Sequence, residues 1–387
     1  MNRNIIPLLV ALTFAAASMA RGQAYTGVVL YPMTPPSGFN LNVRPTDAAG
    51  GNVVGFGENA GNIHALFWSG TAASAVDLNP SGFTYSDAGY TDGAQQVGEG
   101  WGSATGGYDS YHALLWSGTA ASSVDLNPGG FTQSQAFATN GAQQVGYGFG
   151  SATSQNGHAL LWTGTAASAV DLNPAGFSDS SADGTCGTQQ VGSGGAPSTG
   201  AYGHALLWTG TAASAVDLNP VGFIDSVAEG TNGTQQVGSG FGSATGDNTV
   251  ALLWTGTAAS AVNLGPTKLP QITSSFAYAT NGTHQVGYGY GSGTGGNDHA
   301  LLWSGTAASA IDLQTLLPTA GTWETSDANS IDASGDIFGY ADGTYDNYTG
   351  EFAVEWSPVS VPEPASSLLL ALGAGGLLMH RRRKQVV

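Results

Sequence analysis

One stretch of the chain recurs at nearly constant spacing, and this repetition constrains the fold more than any other feature. Close copies of HALLWTGTAASAVDLNPAGF, which stands at 158–177, run from Ala65 to Leu313. The equivalent tryptophans are separated by 48, 46, 46, 46, 49 and 53 residues, and they are Trp68, Trp116, Trp162, Trp208, Trp254, Trp303 and Trp356. An internal repeat of this length predicts one modular body of seven units rather than two or three separate domains.

Each unit contains four short segments that favour β-strands. In the second unit these are 75–78, 86–91, 95–98 and 112–116, where aromatic and β-branched residues recur. Units of about 40 to 50 residues with four strands each are typical of β-propellers, whereas β-helices and leucine-rich solenoids use shorter repeats. A closed ring also removes exposed edge strands. We therefore predict an all-β fold, a seven-bladed β-propeller with repeats of about 46 residues, over residues 25–360.

Asx-Gly pairs mark one turn in most units. They begin at Asp92, Asn140, Asn232 and Asn281. Because type I′ turns need positive φ at both central residues, these pairs predict tight type I′ hairpins. Cys186-Gly187 takes the same place in another unit, so we interpret the lone cysteine as an exposed thiol at a turn tip. A single cysteine excludes any internal disulfide.

Two assignments of strands to blades are compatible with the repeat. In the first, the four strands named above form one blade that is continuous in sequence. In the second, HALLW and the VDL strand that follows it belong to one blade, and the boundary falls near the LNPxGF segments. The second assignment requires the strand VVLYP at 28–32 to complete the blade that contains FAVEW at 352–356.

Residues 1–24 have the layout of a secretory signal peptide. Arg3 precedes an apolar run at 5–17, and small residues follow that run. Cleavage after Ala20 and cleavage after Ala24 both place small residues at the recognised positions. We therefore expect the body at 25–360 to be exported.

Residues 361–387 form three consecutive parts. They are the motif Val361, Pro362, Glu363 and Pro364, an apolar run at 365–379, and the basic residues Arg381, Arg382, Arg383 and Lys384. This order resembles the PEP-CTERM sorting tail of exported Gram-negative proteins. The resemblance implies that the tail holds the protein in the inner membrane until an exosortase-like enzyme cleaves near the motif.

The apolar run is short for a permanent membrane anchor. As a transmembrane helix, 365–379 would span about 22 Å, against about 30 Å for the hydrocarbon core of a bilayer. The basic cluster would stay in the cytoplasm by the positive-inside rule. A permanent tail anchor is the alternative, and both interpretations place the body outside the cell.

The body is strongly acidic. Between residues 25 and 360, Arg44 and Lys268 stand against 25 acidic residues, which gives a formal charge of −23. Such a body repels phosphate backbones and anionic lipid surfaces, so we expect no nucleic-acid partner.

The repeats also resemble the HAF family of extracellular repeats. The resemblance rests on HALLW, VDL and S-x-A-x-x-x-N-G-x-Q-x-V-G-Y, and it covers about residues 25–356. Most units have Leu at the third position of the family motif, and Phe67 is displaced from it by one residue. The family brings no established catalytic residues, so the resemblance implies a fold and an extracellular setting.

Two polar positions recur with the repeat. Five histidines begin the HALLW strand, namely His64, His112, His158, His204 and His299. Five aspartates lie in the VDL strand, namely Asp77, Asp125, Asp171, Asp217 and Asp312. A ring of carboxylates around a channel would suit Ca²⁺, although no EF-hand-like spacing is present. We favour histidines that bond a neighbouring strand and aspartates that cap turns, with no cofactor.

The Gly-rich loops differ most among the units, and equivalent loops emerge on one face of a propeller. Aromatic and acidic residues gather there, namely Trp101, Phe149, Tyr202, Phe241 and Tyr290, with Asp109, Asp247 and Asp298. Rings that stack on apolar sugar faces would make a polysaccharide-binding surface. Packing of these rings between blades is the alternative.

No catalytic motif is present in the sequence. It has no Gly-x-Ser-x-Gly elbow, no His-Glu-x-x-His pair and no Cys-His pair. We therefore predict a non-enzymatic protein of the cell surface or extracellular matrix, with a structural or interaction role. A polysaccharide-binding module is the second hypothesis, and a glycan-active enzyme that uses acids in the channel or loops is the third.

Overall fold

Seven four-stranded sheets make up the part of the chain that this computed structural model describes, residues 24–31, 36–108, 110–197 and 202–359. All of them lie in one unit, Tyr25–Ser357. The described residues contain no α-helix and only short 3-10 turns such as Ala120–Ser122. The predicted all-β, seven-bladed propeller is confirmed. The signal-peptide prediction at 1–24 and the predicted apolar helix at 365–379 lie outside the described residues, apart from residue 24.

Each blade has the same strand order from the channel to the rim. The innermost strands are β2 (Phe39–Ala49), β6 (Phe83–Thr91), β10 (Gln133–Thr139), β14 (Asp179–Cys186), β18 (Asp225–Thr231), β22 (Ile272–Thr280) and β26 (Thr322–Ile331). The second strands are β3 (Asn52–Asn59), β7 (Gln96–Gly102), β11 (Gln144–Phe149), β15 (Gln189–Gly195), β19 (Gln236–Phe241), β23 (Gln285–Gly291) and β27 (Ile337–Tyr345).

In six blades the outer half is made of a longer strand and an outermost strand of two residues, whereas the seventh blade ends in a strand of seven residues. The third strands are β4 (Asn62–Ser69), β8 (His112–Trp116), β12 (His158–Trp162), β16 (Gly203–Trp208), β20 (Val250–Trp254), β24 (His299–Trp303) and β28 (Tyr348–Pro358). The outermost strands are β5 (Val76–Asp77), β9 (Val124–Asp125), β13 (Val170–Asp171), β17 (Val216–Asp217), β21 (Val262–Asn263), β25 (Ile311–Asp312) and, in the seventh blade, β1 (Tyr25–Tyr31). Outer strands of two residues offer little free edge for pairing with other chains.

The ring is closed by the first strand of the body. HALLW and VDL lie in the same sheet, and β1 pairs with β28 in the order β1-β28-β27-β26. The second assignment of strands to blades is therefore the correct one. Closure by β1 ties the two ends of the body into one blade, so the first and seventh repeats support each other.

The Asx-Gly turns lie where they were predicted, but they are not type I′. Only the glycine has positive φ, as at Gly93 with φ of +93°. Asp92 Oδ1 instead accepts the backbone N–H groups of Ala94 and Gln95, at 2.8 and 2.7 Å. The side-chain oxygen thus closes the turn, as Asx residues commonly do. Cys186 ends β14 at the equivalent place and is half-buried rather than exposed.

The hydrophobic core lies between neighbouring blades. All seven repeated tryptophans are fully buried. Trp162, for example, packs with Leu160 of its own strand against Val97 and Leu115 of the preceding blade. The indole N–H of Trp116 donates to the carbonyl of Leu78, again in the preceding blade, at 2.9 Å. Each repeat therefore buries its apolar side against the next, and no blade is stable without its neighbours.

Candidate functional site in the central channel

One residue of each innermost strand is displaced from the regular pairing. Within every blade, the register between the first and second strands shifts at the same point, which leaves a β-bulge. The bulged residues are Thr46, Gly89, Phe137, Asp183, Glu229, Tyr278 and Asn329. All seven line the central cavity. Because a bulge re-aims the side chain that it carries, each blade presents one variable residue to the channel.

The channel encloses a cavity of about 840 Å³. Besides the bulged residues, its lining includes Arg44, Asp47, Tyr90, Tyr340 and Glu351. Ligand sites commonly have volumes of about 300–1,000 Å³. The channel therefore has both the size and the mixed polar and aromatic lining of a binding site.

Two acids on adjacent blades, Asp183 and Glu229, are called the acid pair below. Burial, together with the nearby charge of Asp183, raises the pKa of Glu229 to about 8. Burial raises the pKa of Asp183 to about 6, although Ser181 Oγ donates to its Oδ1 at 2.6 Å and opposes the shift. Because the two carboxyl groups interact, they titrate as a pair, and burial favours the protonated form in both.

A second cluster of acidic side chains lies across the channel, and the basic residue Arg44 lies near it. Burial raises the pKa of Glu351 to about 7, and the charge of Arg44 opposes that shift. Asp47 also has a pKa raised by burial to about 7, although it accepts the N–H groups of Thr91 and Ala48 at 3.0 and 2.8 Å. Asp327 is buried, which raises its pKa to about 7 despite a hydrogen bond from Tyr340.

Three rings flank the acid pair, and we call Tyr90, Phe137 and Tyr278 the channel aromatics. Phe137 and Tyr278 are the bulged residues of the blades on either side of the pair. The rings of Tyr90 and Phe137 meet edge to face, with centroids 6.3 Å apart. Tyr90 is 44% exposed, although it lies within the channel lining. Burial and the charges of the acid pair raise the pKa of Tyr90.

The aromatic residues predicted on the Gly-rich loops mostly pack against neighbouring rings. Trp101 stacks on Tyr85 at 6.0 Å and contacts Tyr108 at 4.8 Å, and it is half-buried like its counterparts in other blades. Phe149 and Phe241 end second strands and Tyr290 stands one residue before the end of β23, whereas Tyr202 lies just before β16. Tyr202 is 42% exposed and contacts Phe241 of the next blade at 5.7 Å. The rings therefore do not form one continuous surface.

The fourth blade breaks the aromatic pattern of this loop face. Gly195 takes the place of Phe149 and Phe241, since it pairs with Asp179 at the equivalent register position. A pocket of about 390 Å³ is present there, lined by Asp179, Tyr202, four glycines and four serines. Asp109, which was predicted to accompany the loop aromatics, lies outside the described residues.

The repeated histidines and aspartates form a network between blades. His158 Nδ1 lies 2.7 Å from Asp171 Oδ2, and Asp171 Oδ1 accepts the N–H of Asn173 at 2.8 Å. Ser180 of the next blade donates to Asn173 Oδ1 at 2.8 Å and accepts the N–H of Ala159 at 3.0 Å. The same arrangement joins most other blades, so the strand-bonding and turn-capping interpretations fit the geometry.

The aspartates of the VDL strands lie at the rim, so they do not form a carboxylate ring around the channel. The alternative of a Ca²⁺ site at these residues is wrong for that reason. No group of three or more His, Cys, Asp or Glu side chains in the described part of the chain is arranged to hold a metal ion. Nor does any helix in that part have the length and apolarity to span a membrane.

The channel residues were not predicted from the sequence, although a signal for them is present. The residue directly after the alanine in S-x-A-x changes from unit to unit, as in Ala136-Phe137, Ala182-Asp183 and Ala228-Glu229. Variation at one position of an otherwise repeated strand indicates a function that differs between blades. The sequence pattern does not reveal the bulge that turns this residue toward the channel.

Solved structures with a similar fold include the propeller domain of a protease and a puromycin hydrolase. The β-propeller domain of the Trilobed protease from Pyrococcus furiosus matches with a TM-score of 0.51 at 8% identity, covering 81% of this chain and 95% of that one. A puromycin hydrolase mutant complexed with PGG matches with a TM-score of 0.51 at 12% identity, covering 81% and 53%. These identities show the fold alone. A comparison with curated protein sequences gives no match.

A family model matches the end of the chain. It is the PEP-CTERM protein-sorting motif, and it covers residues 360–384. The predicted sorting tail is confirmed as a sequence motif over these residues, which lie outside the described part. The separate roles assigned to Val361 to Pro364 and to the basic cluster stay predictions. The match indicates an exported protein that an exosortase-type enzyme sorts through the membrane to the cell surface. The resemblance of the repeats to the HAF family stays a prediction.

Proposed function

We propose that the chain is a non-enzymatic propeller of the cell surface or extracellular matrix, with a structural or interaction role. The observation that carries this proposal is the sorting motif at 360–384. In this proposal the tail spans the inner membrane transiently, with Arg381, Arg382, Arg383 and Lys384 in the cytoplasm. Cleavage near the motif then releases an acidic propeller that stays soluble outside the cell.

Changing the motif should trap the protein in the membrane. In a strain that makes the exosortase, we expect Pro362→Ala together with Glu363→Ala to leave full-length chain in the inner-membrane fraction, because the processing enzyme no longer recognises it. The wild type should appear outside, shortened at its C-terminus, by fractionation and mass spectrometry. Lys268→Ala, in the body, is the matched control and should leave processing unchanged. Recovery of wild-type chain in the cytoplasm with residues 1–24 intact would contradict export.

The second candidate function is saccharide binding at the loop face. The pocket of the fourth blade favours it, because the exposed ring of Tyr202 lies beside the carboxylate of Asp179 and the serine hydroxyls. An aromatic face with convergent polar groups is a common arrangement in small-molecule sites. Trp101, Phe149, Phe241 and Tyr290 would then extend the contact of a polysaccharide along the loops.

Glycan-array binding tests this candidate. We expect Tyr202→Ala to weaken the signal about tenfold, because a stacked aromatic contact is worth about 1 kcal/mol or more. The pair Trp101→Ala and Phe149→Ala should weaken longer glycans further. Tyr348→Ala, which removes an exposed ring on β28, is the control and should have no effect. Binding that survives all three loop-face changes would argue against this face, and screens with and without Ca²⁺ would reveal a metal requirement.

A further inference from the structure

The acid pair and the acids on the opposite side of the channel differ in whether a basic residue lies nearby. Glu351 has the cation Arg44 nearby, and that charge favours its ionised form. No basic residue in the described part of the chain has such an effect on Asp183 or Glu229. The acid pair therefore lacks the counter-charge that the opposite side of the channel has.

Glu229 also lacks a hydrogen-bond partner. No hydrogen bond to its carboxyl group occurs among the described residues, and Asp183 receives one only from Ser181. Both side chains line the cavity. Both are half-buried, so their carboxyl groups remain accessible from the channel. Because the bulges aim these acids into the channel and no basic residue balances them, they attract a cation from outside the chain.

The channel aromatics supply the second element of recognition. Tyr90 is 44% exposed and lines the concave cavity that the acid pair also lines. Other side chains normally cover an aromatic ring that lies inside a protein. Aromatic faces attract cations through their quadrupole, and ammonium groups are commonly held by rings together with carboxylates. Aromatic faces also pack against methylene groups. The two contacts select a ligand that is both cationic and partly apolar.

We propose that the channel binds an organic cation of the linear diamine or polyamine class, with one ammonium group at the acid pair and the methylene chain against the channel aromatics. The ammonium group favours the ionised forms of Asp183 and Glu229, as the charge of Arg44 favours that of Glu351. A fully hydrated inorganic cation would not use the rings, and a neutral polyol would leave the acid pair without its counter-charge.

The proposal has a definite pH dependence. The titratable and charged groups around the site are Asp47, Asp183, Glu229, Asp327, Glu351, Tyr90, Tyr278, Tyr340 and Arg44. The cation binds the ionised acids, whose pKa values are about 6 for Asp183 and about 8 for Glu229. Affinity should therefore rise between about pH 5.5 and pH 8.5, and binding should release protons near neutral pH, because the ligand lowers both pKa values.

Isothermal titration of the purified full-length chain with spermidine tests the proposal. We expect binding at about pH 8.5 that is at least about tenfold weaker at pH 5.5, with proton release at pH 7 seen as a dependence of the heat on buffer ionisation. The double variant Asp183→Asn with Glu229→Gln keeps the side-chain shapes and should lose at least about tenfold in affinity at pH 8.5. Glu324→Gln, exposed on β26, should bind like the wild type.

Several results would overturn the proposal. One is the absence of spermidine binding at every pH by a wild-type chain whose circular dichroism shows it to be folded. Another is unchanged affinity in the double variant. Displacement of spermidine by Ca²⁺ at equal concentration would assign the channel to inorganic cations. Binding of a neutral oligosaccharide that is independent of pH and lost in the double variant would assign it to saccharides.

Discussion

Trp116→Ala is expected to lower the free energy of unfolding by about 3–5 kcal/mol, a large effect for a single change. The indole is fully buried among Leu78, Val54, Phe67 and Ala65 of the preceding blade. Its removal leaves a cavity that a rigid pair of sheets cannot fill, and it also leaves the carbonyl of Leu78 without its indole donor. Urea denaturation followed by tryptophan fluorescence and circular dichroism measures this loss.

Trp101→Ala is the matched control, because it removes the same side chain from the half-buried loop face. We expect a cost below about 1.5 kcal/mol, the order of the ring contacts with Tyr85 and Tyr108. Equal losses in the two variants would mean that burial between blades does not dominate stability. The comparison also tests the packing of neighbouring blades, because Trp116 contributes to the free energy of unfolding only if the two blades stay packed.

The free energy of unfolding is expected to fall as pH rises from about 4 to about 8. Burial raises the folded-state pKa of Asp47, Glu99, Asp327 and Glu351 to about 7 and of Glu229 to about 8. Acids whose pKa is higher in the folded state stabilise it fully below their unfolded pKa, and this stabilisation is lost as pH rises through the folded pKa. For the buried Asp327 alone, whose pKa rises from 3.8 to about 7, the loss is on the order of 4 kcal/mol. Thermal unfolding at pH 5 and pH 9 measures it.

Glu229→Gln assigns part of this pH dependence to the channel. Glutamine keeps the shape of a protonated glutamic acid but cannot ionise, so we expect the variant to match the wild type at pH 5 and to unfold at higher temperature at pH 9. The exposed Glu324→Gln on β26 controls for the change in net charge. A wild-type chain that is more stable at pH 9 than at pH 5 would refute this account of the buried acids.

Buried acids also occur away from the channel, which bears on how these results are interpreted. Asp87 and Glu99 lie directly opposite each other on β6 and β7. Burial raises their pKa values to about 6 and 7, and each has one buried oxygen without a partner among the described residues. They contribute to the pH dependence of the whole ring. The Glu229 variant separates the channel from that background.

The repeat alone predicted most of the scaffold. Seven equivalent tryptophans and four strand segments per unit predicted seven blades, and His158 with Asp171 was interpreted as structural because symmetry-related residues cannot converge in a ring. These predictions succeeded because burial between identical units imposes the same pattern on every copy. The loop aromatics illustrate the opposite case. Trp101 packs against Tyr85, a contact that no spacing in the sequence indicates.

The sequence by itself determined the number of units, the hydrophobic side of each and the sorting tail, because periodicity and local composition record these directly. The tertiary structure decided the rest. Whether β1 closes the seventh blade depends on a pairing between residues more than 300 positions apart. Which residues face the channel depends on a one-residue bulge, and a bulge reverses the side-chain direction that strand alternation would otherwise predict. The acid pair acquires its raised pKa values only when the ring brings the fourth and fifth blades together and partly buries both carboxyl groups.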